Sequence, residues 1–568
     1  MASNSVPVSL SHVAGPTGVP LQHRTVGQVL NAAVERWPQH TALIVSGQNV
    51  RWTYEECATR VESLARAFLA SGLRSGDRIG IWSPNCAEWV LTQFATAMAG
   101  LVLVNINPAY RSSELRFALR KTGCRALLFA DAFKSSDYLA MLRELIPELA
   151  LGRRGVLLSE EFPNLRLLVN LGTARADGFL SFEALMARAD AVPLQALRDV
   201  SDALSPHDPI NIQFTSGTTG TPKGATLTHY NLVNNAFFVG EGMHLNDRDR
   251  VCIPVPLYHC FGMAMGVLCA VAHGAASIFP GPSFEPESVL ACVATERCTA
   301  LLGVPTMFIA ALDHPRFADY DLSGLRTGIM AGAPCPIAVM RKVIELMHMR
   351  DITICYGMTE TSPVSFQSDI DDPLERRVGT VGRVHPHVEV KIVDAQGNTV
   401  ERGAAGELCT RGYSVMRGYW DEPERTAESV DAQGWMHTGD LAVIDAQGYC
   451  NIVGRVKDMI IRGGENVYPR EVEEFLFKHP KILDVTVVGV PDPRLGEAVC
   501  AVIRLRAGIC ATETEIQAFC QGQIAHYKVP RYVRFVDEFP MTVTGKIQKF
   551  VIRDQVQREL NLQAEATA

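Results

Sequence analysis

From Thr25 onward the apolar residues fall into short runs separated by amphipathic segments. Val26, Val29, Leu30, Ala33 and Val34 recur at helical spacing, and the same spacing predicts helices from about Thr53 to Ser71 and from Glu88 to Ala99. Between and after them lie compact apolar runs: Ala42–Val45, Arg78–Trp82, Leu101–Val104, Ala126–Ala130 and Leu165–Asn170. These read as buried strands. The series continues with Ile210–Phe214, Val251–Val255, Ala300–Val304, Thr327–Ala331 and Ile352–Cys355. Strands alternating with helices of this length predict βαβ units and largely parallel sheet. From about Gly379 the texture changes to strict alternation, in Val388–Val393, Gly406–Thr410, Leu441–Asp445 and Tyr449–Val453, with turns at Ala395–Asn398 and Ala446–Gly448. That predicts antiparallel sheet in a small barrel or sandwich. A charged, glycine-rich stretch, Gly454–Asn466, then leads into a compact α+β unit. Its strands are expected at Val485–Val490, Ala498–Leu505 and Val533–Val536, and its helices at Pro469–Lys478 and Thr512–Ile524. Residues 1–25 lack such a pattern and read as a loosely ordered arm.

The expected fold class is therefore α/β. A large domain, residues 1–456, holds two doubly wound α/β subdomains and a β-rich, barrel-like subdomain at about 379–456. A small α+β domain, residues 457–568, follows. A length of 568 residues accommodates three or four units of domain size. The net charge of −8, with a pI near 6.0, argues against a general nucleic-acid binder. The 15 cysteines include no Cys-x-x-Cys pair and show no zinc-ligand spacing, so they read as buried free thiols in a reducing compartment. The N-terminus resembles neither a secretory signal nor a transit peptide. The longest apolar run, Phe261–Ala272, is too short to span a bilayer. A cytoplasmic protein without a transmembrane segment is expected.

One loop concentrates the chemistry. Thr215-Ser-Gly-Thr-Thr-Gly-Thr-Pro-Lys-Gly224 directly follows an expected strand. Glycines let backbone N–H groups turn toward an anion, hydroxyls add donors, and Lys223 supplies a mobile point charge for a phosphate oxygen. The loop lacks the Gly-x-x-x-x-Gly-Lys-Ser/Thr pattern, which disfavours a generic P-loop ATPase.

Further motifs stand downstream in a fixed order: Tyr356-Gly-Met-Thr-Glu360, His437-Thr-Gly-Asp440, Gly454-Arg-Val-Lys-Asp458 and Pro540-Met-Thr-Val-Thr-Gly-Lys546. With them, from about Thr25 to Val551, the chain resembles the adenylate-forming superfamily, in particular the acyl-CoA synthetases. The resemblance implies ATP, Mg²⁺ and coenzyme A as cofactors and co-substrates. It implies a nucleotide site built from Thr215, Ser216, Gly217, Thr218, Thr219, Gly220 and Lys223, from Gly332, Ala333 and Pro334, from Cys355, Tyr356, Gly357 and Met358, and from Asp440 and Arg455. Glu360 and Thr218 would hold the metal, and Thr359 would bond a phosphate or the acyl carbonyl. Tyr356 offers a ring to adenine, and Asp440 with Arg455 a carboxylate and a donor to the ribose. As a structural pair, those last two would instead bridge the β-rich subdomain to the small domain. Lys546 would reach the substrate carboxylate and the α-phosphate. Lys457 stands at the hinge position, about which the small domain would turn, and Gly463 and Gly464 would leave room for the pantetheine tunnel.

The acid pocket is expected along Pro256–Gly266, Gly303–Phe308 and Met330–Pro334, with Tyr258, Phe261, Gly262, Val304 and Met330 as lining. No Asp or Glu lies between Val251 and Phe284, so an amino-acid substrate would find no partner for its ammonium. A fatty or other apolar acid is expected. Some long-chain members gate the acyl tunnel with a tryptophan, and none occurs between Trp89 and Trp420. A medium-chain acid is therefore favoured. His259 reads either as a satisfied core histidine or, by the resemblance, as a catalytic group where the acid and CoA sites meet. The expected partners are small molecules, not nucleic acid, with a homodimer left open. Besides the CoA ligase, three readings stay open: an adenylating enzyme serving a carrier protein, a luciferase-type oxygenase, and a nucleotide sensor without turnover.

Overall fold

Local capping starts the first helices where the apolar pattern places them. The Thr25 hydroxyl accepts the Gln28 N–H at 3.2 Å while Gln28 Oε1 accepts the Thr25 N–H at 2.8 Å, opening the helix Val26–Arg36. Thr53 and Glu56 repeat the arrangement at the start of Tyr54–Ala70. The computed structural model describes residues 9–151, 159–174, 177–215, 222–463, 465–542 and 547–562.

Two large sheets dominate. The first has the strand order Leu180–Ser181, Leu167–Asn170, Ala126–Phe129, Arg78–Trp82, Val102–Ile106, Pro209–Thr215, Lys223–Thr228, Gly418–Tyr419. It is parallel as far as Pro209–Thr215, and its last two strands are antiparallel. The second is parallel from Thr41–Val45 through Ala276–Phe279, Arg250–Cys252, Ala300–Gly303 and Thr327–Ala331 to Asp351–Gly357. Beyond Asp351–Gly357 it continues antiparallel into Val364–Gln367 and Arg383–Val384.

The helices lie in three layers around these sheets. Val26–Arg36, Tyr54–Ala70, Ala87–Met98 and His229–Gly242 fill the space between the sheets, in one core that takes residues from both. The outer face of the first sheet packs on Ser112–Thr122 and Tyr138–Leu145. The outer face of the second packs on Pro286–Glu296, Pro305–Leu312 and Ile337–Leu346. Strands covered on both faces are mostly apolar, which is why they read as near-continuous runs, with a few buried polar residues such as Asn105, Asn211 and Gln213.

The β-rich piece is a five-stranded antiparallel sheet in which Val388–Val393, Gly406–Gly412, Met436–Ile444 and Cys450–Arg455 follow in order. Its fifth strand corrects the expectation of a loose N-terminal arm. His12–Ala14 pairs antiparallel with Glu389–Lys391, and Gly15 donates to Val388 O at 2.8 Å. A Cβ on Gly15 would stand 1.9 Å from His385 O, so the close approach requires glycine. The separate C-terminal domain pairs Ile482–Asp492 with Gly496–Leu505, and the latter with Tyr532–Phe535. Pro469–Leu476 and Glu513–Cys520 cover one face. Lys549–Glu559, a helix the apolar pattern did not announce, covers the other through Ile552 and Val556. All 15 cysteines are free, and among the described residues no helix is long and apolar enough to cross a membrane.

Candidate active site

The motif residues converge at the carboxyl ends of the parallel strands, the usual place for a ligand crevice in open α/β sheets. Thr215 ends its strand in the first sheet. Ala331 and Gly357 end theirs in the second, each followed by motif residues. Two antiparallel hairpins, one from each sheet, meet here. Thr215 and Lys223 are cross-strand partners and close the first hairpin. Ser216, Gly217, Thr218, Thr219 and Gly220 lie outside the described residues.

The second hairpin holds Glu360 on a tight turn. A Cβ on Gly357 would fall 1.7 Å from Pro363 O. Met358 N–H and the Thr361 hydroxyl both donate to Pro363 O, at 2.9 and 2.7 Å, and Met416 N–H donates to Glu360 O at 2.8 Å. The Glu360 carboxylate is 5% exposed. Its Oε1 accepts the Thr215 hydroxyl at 3.1 Å and the Tyr419 hydroxyl at 2.9 Å. Among the described residues it forms no ion pair. Burying a carboxylate without a cation is costly, so the two hydroxyls mark a site built for positive charge. Lys223 Nζ lies 4.7 Å from the Tyr419 ring centroid. Burial, and then Glu360, push the Tyr419 phenol up. Tyr419 had no signal of its own in the sequence, standing 59 positions from the carboxylate it serves. Beside Glu360, Thr359 is buried, and nearby the Cys260 thiol donates to Gln213 Oε1 at 3.0 Å.

A second polar set lies on the five-stranded sheet. Asp440 and Arg455 face each other across neighbouring strands, with Arg455 Nε 2.9 Å from Oδ1. Both thus belong to one hairpin and do not bridge to the small domain. Tyr356 OH donates to the other oxygen, Oδ2, at 2.6 Å. Burial, and then Asp440, raise the Tyr356 phenol; Asp440 raises the Arg455 guanidinium. Each Asp440 oxygen keeps a lone pair for a further donor. Behind this turn the motif residues His437, Thr438 and Gly439 are held in place, with Glu407, which sequence reasoning missed. Glu407 Oε1 accepts the Gly439 N–H at 3.1 Å, and its Oε2 lies 3.0 Å from His437 Nδ1. Thr438 donates to Leu408 O at 2.7 Å and accepts the Asp440 N–H at 3.1 Å. Gly439, at φ +69°, supplies the left-handed residue of the turn.

Gly332, Ala333 and Pro334 form a partly exposed loop after Ala331; Gly332 adopts φ +85°. Cys355 is buried, its thiol pushed up by desolvation, and Met358 packs at the edge of the shared core. His259 precedes a π-helical stretch, Phe261–Leu268, itself a frequent mark of functional sites. Its carbonyl accepts the Gly262 and Met263 N–H groups at 3.1 Å, and its Nδ1 the Phe261 N–H at 3.2 Å.

The acid-pocket residues divide. Tyr258 lines a small cavity with Pro256, Met307 and Phe284. This meets a larger cavity of about 220 Å³ through Ser83, Pro84, Asn85 and Pro282. Phe261 and Val304 pack in the core between the sheets, and a Cβ on Gly262 would lie 2.5 Å from Pro256 O. Met330 is a correction. Strand side chains alternate, so while Ile329 and Ala331 face the shared core, Met330 faces the outer core with Met340 and Cys335. Lys457 is exposed, just past Arg455, and Asp458 Oδ1 lies 3.8 Å from Arg553. Gly463 turns a hairpin at φ +61°, which is its local reason for being glycine. Gly464 and Lys546 lie outside the described residues.

Two hairpins aimed at one crevice, a buried carboxylate without an ion pair among the described residues and a separate C-terminal domain define an α/β enzyme of the adenylate-forming kind. The chain belongs to the AMP-binding enzyme family. The family model matches residues 30–420, and the model of its C-terminal domain matches residues 471–546. The chain is 46% identical over 557 residues to the mitochondrial medium-chain acyl-CoA ligase ACSF2 of Bos taurus, covering 97% of this chain and 91% of that one. It is 47% identical over 543 residues to the putative acyl-CoA synthetase YngI of Bacillus subtilis (strain 168), covering 95% and 99%. Among solved structures, the anthranilate CoA ligase AuaEII in complex with anthranoyl-AMP superposes with a TM-score of 0.84 at 26% identity, covering 96% and 99%.

Proposed function

We propose that this chain is an AMP-forming acid–CoA ligase that activates a medium-chain fatty acid. The observation that carries the reading is Glu360: a buried carboxylate of the second sheet, bonded by two hydroxyls of the first and without an ion pair among the described residues, beside a glycine-rich, lysine-bearing stretch. The family membership and the medium-chain activity named for the bovine relative support it. The acid's carboxylate oxygen attacks the α-phosphorus of ATP. The bond to the bridging oxygen breaks, and pyrophosphate leaves. The coenzyme A thiol, giving up its proton, then attacks the acyl carbonyl, and AMP leaves. Lys223 and the loop after Thr215 would bind the phosphates, Gly332–Pro334 and Tyr356 would border the adenine, and Asp440 and Arg455 would hold the ribose. The oxygen donors of Glu360 and Thr218 suit Mg²⁺, which would neutralise charge on the phosphates. Thr359 and His259 would orient the carboxylate and the incoming thiol. Lys546 would steady the charge at the α-phosphate, and turning of residues 457–568 about Lys457 would exchange Lys546 for the thiol path beside Gly463 and Gly464. The apolar residues around Tyr258 would take the acid's tail, and the free thiols fit a reducing compartment such as the cytoplasm.

The test is a panel of short, medium and long straight-chain acids, scored for pyrophosphate release with and without CoA. The reading expects acid-dependent pyrophosphate, with acyl-CoA and AMP appearing only when CoA is added and peaking at medium length. Acyl-AMP that CoA fails to discharge would favour delivery to a carrier protein.

A further inference from the structure

Three cysteines far apart in sequence come together on the outer face of the second sheet. Cys252 ends a central strand, Cys292 lies on the helix Pro286–Glu296, and Cys298 follows that helix. Their sulfurs all lie within 4.8 Å of one another. Cys252 and Cys298 are 0% exposed and Cys292 is 6% exposed, all within the outer core. The cluster stands apart from the crevice described above, because Cys252 points opposite to its neighbours Val251 and Ile253, which face the shared core.

The backbone sets this geometry. The helix ends in a Schellman turn: Cys298 N–H donates to Val293 O at 3.0 Å and Arg297 N–H to Ala294 O at 3.4 Å, with Arg297 at φ +49°. That turn folds Cys298 back beside Cys292, which lies in the last turns of the helix. The strand beneath presents Cys252. Zn–S bonds of about 2.3 Å set tetrahedral sulfurs roughly 3.8 Å apart, and a three-coordinate site needs about the same spacing. The sulfurs therefore need to close by about 1 Å at most. The cluster contains no carboxylate or imidazole. The Ser46 hydroxyl lies 3.9 Å from Cys292 Sγ. Two residues before Cys252, the Arg250 guanidinium is tied to Glu296 at 2.8 Å.

We propose that Cys252, Cys292 and Cys298 form a three-thiolate site for a thiophilic closed-shell cation, Zn²⁺ or Cu⁺. Thiolate sulfur selects these ions over Mg²⁺ or Ca²⁺. Binding forms three metal–sulfur bonds and releases the three thiol protons to solvent, with no change of oxidation state. For Zn²⁺ the Ser46 hydroxyl supplies a fourth oxygen donor, whereas Cu⁺ is complete with three sulfurs. The ion ties the strand, the helix and the turn together, and its role is structural.

The test uses the reduced, chelator-treated full-length chain without oxygen. Zn²⁺ is titrated in competition with a chromophoric chelator, and Cu⁺ in competition with bicinchoninate. The proposal expects one equivalent per chain, a higher melting temperature on binding, and protection of three thiols from alkylation. Cys298→Ala and Cys252→Ala should each weaken binding by roughly 100-fold or more, whereas Cys510→Ser, at the exposed cysteine, should change nothing. Ser46→Ala should weaken Zn²⁺ and leave Cu⁺ unchanged if zinc is the occupant. Wild-type protein that takes up neither ion would overturn the proposal, whether or not the variants fold. Full stoichiometry in both folded cysteine variants would overturn it too, by placing the metal elsewhere.

Discussion

The two large sheets are built alike up to their last strands and then differ. Each runs six parallel strands and continues past the last of them into two antiparallel strands, and the second sheet also carries an antiparallel strand, Val50–Thr53, at its other edge. In the first sheet the closing hairpin is formed by the sequence stretch Thr215–Gly224, rich in glycines and hydroxyls, with Lys223 paired to Thr215 across the strands. In the second it carries one carboxylate, Glu360, on a turn pinned by Gly357, Thr361 and Met416. One sheet thus brings many donors and the other a single fixed acceptor. The difference suits polyphosphate chemistry, in which an anion must be wrapped by N–H and O–H groups while one carboxylate holds its counter-charge in place. The sheets meet in the hydrogen bond from Thr215 to Glu360.

Changes at the fixed side should be the most damaging. Glu360→Gln keeps the size and the acceptor for Thr215 and Tyr419 but removes the charge. Acyl-AMP formation in single turnovers should fall by roughly 10³-fold, as for loss of a group aimed at transition-state charge, with little change in melting temperature. Asp440→Asn, on the neighbouring sheet, weakens the acceptor facing Arg455 and Tyr356. It should raise KM for ATP by roughly 10²-fold while kcat changes much less, the signature of lost uniform binding. Tyr419→Phe removes one donor to Glu360 and keeps the ring beneath Lys223. A loss of about 10-fold in kcat/KM matches one hydrogen bond to a charged group.

The smallest effect concerns stability. His229, which follows the last strand residue of the donor hairpin, is buried and accepts the Val26 N–H on Nδ1 at 3.0 Å. Burial holds it down to about 4, with Asp208 opposing. The unfolded chain takes this proton near pH 6.5, and the folded chain does not until about pH 4. Stability is therefore full above pH 6.5 and declines as pH falls toward 4, by roughly 2 kcal/mol at pH 5. His385, held down to about 3 by burial, adds in the same direction. Urea midpoints at pH 7 and pH 5 measure the slope, which His229→Gln should reduce.

The sequence made the sheet strands legible because both their faces are buried, and runs such as Arg78–Trp82 and Thr327–Ala331 match the structure residue for residue. His12–Ala14 was not legible, because three residues on a sheet edge carry no period and their partners lie near Val390. Met330 was assigned to the crevice because it stands in a motif, but motif membership does not say which face of a strand a side chain takes. The carboxylates Glu360 and Asp440 were found from their local motifs. Tyr419, Glu407 and the three-cysteine cluster were not, since each depends on tertiary contact between distant segments.

The most direct measurement is a double-mutant cycle between Thr215→Val and Glu360→Gln, read as the single-turnover rate of acyl-AMP formation. If the two sheets build one site through this pair, the double variant should lose less than the product of the single losses, with a coupling of about 1 kcal/mol or more. Losses that simply multiply would mean that the two hairpins act independently, and would contradict the account.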